Sequence, residues 1–216
     1  MVKIFAETHK IIASNIYDNV YEKYDLKLDK NRLLWWSIAP DILPQYKFVR
    51  HYKDESIDYI VKEIIKVIYV SRYVEFNTVL DPIAIKILSK KIGLISHYIS
   101  DYFCLPHAKR WTFNVSKDVM IKHIKYESDL EEFSKTHTFN NNIVDFEDIN
   151  INNDVENLYD SIKSFIEDGL DLYLQNEGFA NDLDFANIMN IKIANFILET
   201  IEEYSEAIYT QIAFEV

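Results

Sequence analysis

The chain is poor in the residues that break, bend or cross-link a backbone: its 216 positions include three glycines, four prolines and one cysteine. A single thiol, Cys104, excludes an intramolecular disulfide and is compatible with a reducing compartment. So few breakers argue against a sheet rich in tight turns and favour long helices. Long apolar runs are missing too. No stretch approaches the ~20 residues needed to span a bilayer. Near the start, Glu7, His9 and Lys10 interrupt what would otherwise be the apolar run of a secretory signal, so a cytoplasmic location is expected. What the chain does have is hydrophobic material, 49% of residues with 14% aromatic, which excludes general disorder. Its length suits one domain, residues 1–216, with a substantial buried core.

Negative charge predominates, with a formal net charge of −12, but it is unevenly placed. Residues 141–216 carry seventeen acidic side chains against Lys163 and Lys192, whereas residues 1–140 carry twenty-one basic and eighteen acidic ones. An acidic surface repels DNA and anionic membranes, so this division matters for the choice of partner.

Histidine is scarce, and its placement is the most informative feature. Three of the six histidines fall within His97-Tyr98-Ile99-Ser100-Asp101 through His107 and on to His123-Ile124-Lys125-Tyr126-Glu127. On a helix, a residue four positions on lies one turn up the same face, so His97 with Asp101 and His123 with Glu127 can each close on one cation. His107 gives a fifth nitrogen or oxygen donor. Upstream stand His9 in Thr8-His9-Lys10, Asp41 in Ala39-Pro40-Asp41, and His51. His137 is left over and is expected at the surface.

Helices are predicted near residues 3–22, 30–37, 55–73, 82–104, 116–134, 155–176 and 184–213. In the fourth, Ile85, Leu88, Ile92 and Ile95 recur at helical spacing. The last should begin in the turn Asn181-Asp182-Leu183-Asp184, whose acidic residues suit an N-cap. Asn- and Asp-rich sequence over about 136–154 favours turns and reads as a long surface loop joining the donor-bearing part, 1–135, to two closing acidic helices over 155–216. The expected class is all-α: one compact multi-helix domain with the donors lining a cleft.

The ordered succession of a His near the N-terminus, Ala-Pro-Asp, a further His, His-x3-Asp-x5-His and His-x3-Glu resembles the zinc-dependent phospholipase C family, whose relatives include single-strand-specific zinc nucleases. The likeness covers roughly residues 1–130. It implies zinc, two to three ions, in three sites. Asp41, His51, His97 and Asp101 would hold one ion, and His107, His123 and Glu127 a second. Asp101 would bridge to a third ion, also held by His9 and the chain's own first residue. That residue is usually a Trp; here Met1, or Val2 after methionine removal, would have to supply its α-amine. The resemblance further implies hydrolysis of a phosphate ester, in which Asp41 orients or deprotonates the attacking water. It also places Phe48 where relatives carry an aromatic that helps enclose a choline head group. Ile42 stands where a second aromatic of that cage is expected, so half of the cage is missing here.

Phospholipid is the nominal substrate of such a hydrolase. A nuclease or nucleotidase is the nearest rival; it would use Tyr46, Phe48 or Tyr52 as a base-stacking platform, although each of these also suits a core position. In a third reading, of another class, zinc merely ties helices together without turnover. Structural zinc is normally closed and often thiolate-bound, whereas this set is nitrogen and oxygen only. Cys104 is a soft donor by type but reads as a small buried residue.

Overall fold

In the computed structural model, residues 6–71, 82–112, 115–140, 149 and 157–214 are described, with side chains up to residue 205. Helix α1 spans Ala6–Tyr24, α2 Lys30–Trp36, α3 Ala39–Ile42, α4 Lys53–Ser71 and α5 Pro82–Tyr102. They are followed by α6 (Leu105–Ala108), α7 (Lys117–Ser134), α8 (Leu158–Tyr173) and α9 (Phe179–Phe214), with a 3-10 turn at Pro44–Tyr46. No strand occurs among the described residues. None of their helices is long and apolar enough to cross a membrane.

Local sequence accounts for several of these boundaries. Asp29 caps α2 by accepting from the Arg32 amide at 3.0 Å, and Ser116 caps α7 by accepting from the Val119 amide at 3.1 Å. Pro82 opens α5, where a missing N–H costs nothing. Helices α3 and α6 are single turns of four residues, each with proline in its first turn: Pro40 directly before Asp41, and Pro106 directly before His107.

Helix α5 is the axis of the molecule. From Leu88 to Tyr102 almost every residue is buried, because α1, α2, α4 and α9 all pack on it. The closest approach is to α2. A Cβ built on Gly93 would lie 2.5 Å from the Leu33 carbonyl oxygen and 3.2 Å from the Ser37 amide, so the crossing needs hydrogen at that position. One apolar cluster unites residues from both ends of the chain, including Ile12, Leu33, Ile64, Ile95, Ile166 and Ile197. The two C-terminal helices therefore bury their apolar faces on the donor-bearing part.

Two expectations need correction. Helix α9 begins at Phe179, five residues before the predicted start, and Asp182 lies inside its first turn. The Asp182 side chain is no cap: 1% exposed, it accepts from the Leu105 amide at 3.1 Å, Tyr126 Oη at 2.9 Å and Tyr173 Oη at 2.8 Å. It thus links α6, α7 and α8 to α9. His137 is likewise no surface residue. Its side chain is 9% exposed, Nε2 lies 2.7 Å from Asp184 Oδ1, and the Asn140 amide donates to the same oxygen at 2.9 Å. Most of the predicted loop, residues 141–148 and 150–154, lies outside the described residues, as does the start of the first predicted helix.

Candidate metal centre

All eight donors named from sequence converge on one end of the bundle. His9 comes from α1, Asp41 from α3, His51 from the segment before α4, His97 and Asp101 from the last turns of α5, His107 from α6, and His123 with Glu127 from α7. Their potential ligand atoms form three groups, each within 4.8 Å: His9, Asp41 and His97; His51, His97 and Asp101; His107, His123 and Glu127. The last group is the predicted one. In the other two His97 is common, and His9 sits with Asp41 as well as 3.5 Å from Asp101. The first residue, expected to complete His9's set, lies outside the described residues.

Asp101 is the hub of the first region. One oxygen lies 2.6 Å from His51 Nδ1 and 3.4 Å from His97 Nε2, and the other lies 3.5 Å from His9 Nε2. Asp41 Oδ1 stands 3.6 Å from His97 Nε2 and 3.7 Å from His51 Nδ1. The imidazoles pack closely, His9 stacked on His97 at 4.4 Å between centroids and His51 edge-on to His97 at 4.9 Å. In the second region a single oxygen of Glu127 faces His107 Nε2 at 2.9 Å and His123 Nε2 at 3.0 Å. The regions are continuous: the rings of His51 and His107 are 6.3 Å apart.

Two imidazoles are oriented by the backbone. His97 Nδ1 donates to the Ser37 carbonyl at 2.9 Å, and His123 Nδ1 donates to the Trp111 carbonyl at 2.7 Å. A neutral ring whose proton is spent this way turns an Nε2 lone pair toward the carboxylates. Lone pair then faces lone pair, an arrangement that calls for a cation between them. The donor chemistry therefore fits a divalent ion that favours imidazole and carboxylate, as zinc does.

Electrostatics follow from this crowding. Burial, with the neighbouring His97, lowers the pKa of His9 to about 4. Burial likewise lowers that of His97 to about 4, against the pull of Asp101. At His107 burial opposes the charge, but Asp101 and Glu127 together overcome it and raise the pKa to about 9. Burial would raise Glu127, yet His107 and His123 hold it down at about 2. Asp101 also ends far below the usual carboxylate range, because burial is outweighed by the surrounding imidazoles. Asp41 moves the other way, raised by burial and by the Asp101 charge.

The remaining candidates are placed as follows. Phe48 is 91% exposed. Tyr52 is half-buried with its ring 5.6 Å from that of His107, and Tyr46 packs edge-on to Trp36. Cys104 is buried beside Leu130 and Leu183, its thiol pushed well up by burial. Thr8, His9, Asp101, Glu127 and Asp182 line part of a small pocket that adjoins the donors. Sequence reasoning missed the supports: the Ser37 and Trp111 carbonyls, which no side-chain pattern encodes, and Asp182, hidden in a run that reads as a helix start.

An all-helical bundle with imidazole and carboxylate groups gathered from six elements defines a class of metal-dependent protein, and comparison with known proteins agrees. The family model described as zinc dependent phospholipase C matches residues 8–180, and the chain belongs to that family. Among solved structures it is similar to the crystal structure of Clostridium perfringens alpha-toxin from avian strain SWCP, with a TM-score of 0.58 and 19% identity. That match covers 94% of this chain and 65% of the toxin chain, so the chain spans about two thirds of its length. No curated protein matches the sequence significantly.

Proposed function

We propose that the chain is a zinc-dependent phosphodiester hydrolase resembling phospholipase C, with residues 1–216 acting as one domain. The observation that carries this reading is the sharing of donors: His97 belongs to two groups of potential ligands, and Asp101 reaches three imidazoles. A purely structural ion needs one closed set of four ligands, whereas adjoining sets without thiolate suit two to three ions and leave positions for substrate.

Bound zinc would polarise phosphoryl oxygens and lower the pKa of water toward neutrality. The chain's own residues then have separate tasks. His97 and His123, steered by main-chain carbonyls, and His9, His51 and His107 supply neutral nitrogen donors. Asp101 and Glu127, held ionised by their imidazole neighbours, bring the negative charge that retains cations. Asp41 is the most accessible of the three carboxylates and the one whose proton affinity is raised, which suits it to orient an attacking water and take its proton at Oδ1. The buried walls around Asp101 and His97 keep bulk water from the donors.

A second reading, nuclease or nucleotidase, draws on the half-buried Tyr52 ring beside His107 and on exposed Phe48 as surfaces on which a base could stack. Zinc-loaded protein assayed in parallel on a soluble phosphatidylcholine analogue, a generic aryl phosphodiester and single-stranded nucleic acid separates the readings. Cleavage of lipid or aryl diester supports the first, and cleavage confined to nucleic acid selects the second. Stoichiometric zinc with no turnover on any substrate leaves the non-catalytic alternative.

A further inference from the structure

We infer that Asp182 is the positioning residue of the second donor region: from within α9 it holds α6 and α7, which carry His107, His123 and Glu127, in the relation that one shared ion requires. The inference rests on the proposed reading in one respect, that zinc occupies this group, and it needs no assumption about what is hydrolysed.

Helix α6 has little of its own with which to hold His107. It is one turn of four residues, its N-cap Cys104 makes no side-chain capping bond, and Pro106 has no amide to give. The free amide at its start is that of Leu105, and Asp182 Oδ2 accepts it at 3.1 Å. The cap that local sequence fails to supply thus comes from another helix, 77 positions on. At its other end α6 turns through Arg110 at φ +52°, and the Trp111 amide donates back to the Pro106 carbonyl at 2.8 Å. The Trp111 carbonyl that orients His123 is therefore tied to α6 as well.

The same oxygen reaches α7. Tyr126 Oη donates to Asp182 Oδ2 at 2.9 Å, and Tyr126 directly precedes Glu127 and stands edge-on to Trp111 at 5.8 Å between centroids. One carboxylate oxygen thus joins the two helices whose side chains meet where Glu127 Oε1 faces both imidazoles. The other oxygen accepts from Tyr173 Oη at 2.8 Å, and Tyr173 belongs to α8, which carries no donor. Asp182 is 1% exposed, so solvent does not replace a partner that is lost. In the first region His97 takes its aim from the Ser37 carbonyl instead, so the influence of Asp182 is confined to the second.

The test is zinc binding to the full-length protein, with affinity read by chelator competition and the occupancy of each donor group read separately by anomalous scattering from crystals at limiting zinc. Tyr126→Phe and Tyr173→Phe each remove one hydrogen bond from the same carboxylate, but only the first leads to a donor. Both should lose similar stability in urea, whereas zinc affinity at His107, His123 and Glu127 should fall about tenfold in Tyr126→Phe and stay at the wild-type value in Tyr173→Phe. Asp182→Ala should cost about ten- to a hundredfold at that group. Asp182→Asn should restore it, since its oxygen still serves Leu105 and Tyr126 while its amide turns to Tyr173 Oη. Should the alanine variant fail to fold, the phenylalanine pair decides alone. Equal zinc affinity in the two phenylalanine variants, an asparagine variant as poor as alanine, or a loss spread evenly over both regions overturns the assignment. If wild type takes up no zinc at this group, the metal reading falls and the inference with it; if wild type loads there and the phenylalanine pair behaves alike, only the role of Asp182 is lost.

Discussion

Zinc uptake at His107, His123 and Glu127 should be coupled to the release of one proton, and the structure gives the size of the coupling. In the metal-free protein His107, with a pKa of about 9, and Glu127, with one of about 2, form an imidazolium–carboxylate pair across 2.9 Å at neutral pH. An ion can use His107 only after that proton leaves. Below about pH 9 affinity should therefore rise about tenfold per pH unit. At about pH 7 it lies on the order of 100-fold under its plateau. The stability of the metal-free fold responds in the opposite direction. A histidine pKa raised by folding stabilises the metal-free fold fully below its unfolded value near 6.5, and that contribution is lost as pH rises through about 9. Competition against a chelator of known pH dependence, at several values between about 6.5 and 9, measures the slope. Calorimetry in two buffers of different ionisation enthalpy counts the proton directly. Glu127→Gln removes one of the three anions that raise His107 and should flatten the slope while weakening binding. Affinity independent of pH in the wild type, after correction for the chelator, would refute this account of the pair.

Other outcomes are expected from the same geometry. Asp101→Asn keeps the volume but removes the charge shared by His9, His51 and His97, so bound zinc should fall and hydrolysis should nearly vanish; full activity in that variant sinks the assignment of Asp101. Gly93→Ala gains helix propensity worth ~1 kcal/mol but drives a methyl group into backbone atoms of α2, so a net loss of about 1–3 kcal/mol is expected in urea unfolding. Unchanged or raised stability would show that the α2–α5 crossing can relax. Cys104, buried with its thiol pKa pushed well up, should resist thiol reagents in the native protein and react on unfolding. Rapid labelling under native conditions contradicts that burial.

Much of the architecture was legible because apolar periodicity and scarce breakers leave few alternatives to packed helices. Helix α5 was predicted over 82–104 and spans Pro82–Tyr102, since a run such as Leu88, Ile92, Ile95 and Ile99 has one way to be buried. The donors were legible for a different reason: spacing of four fixes His97 with Asp101 and His123 with Glu127 before any tertiary structure is known. How distant donors pair was not legible. His9 meets Asp41 and His97 only because α1, α3 and α5 converge, which no local spacing encodes. Asp182 misled in an instructive way. An Asn-Asp run has the composition of a cap, but the carboxylate was recruited by Leu105, Tyr126 and Tyr173, three partners from other elements. His137 was misplaced similarly, because its partner Asp184 stands 47 positions away.

The supports of His97 and His123 carry a consequence for how such a centre tolerates change. Their anchors are the oxygens of Ser37 and Trp111, atoms that every amino acid possesses. Substituting either residue leaves its anchor in place, so whatever such a change costs comes from the side chain's own packing, Ser37 buried with its hydroxyl on the Leu34 carbonyl and Trp111 edge-on to Tyr126. The imidazoles become vulnerable only where the course of the main chain is set, at the tight crossing by Gly93 and at the left-handed bend of Arg110. Drift in the surrounding sequence can thus be wide while the aim of the two rings stays fixed.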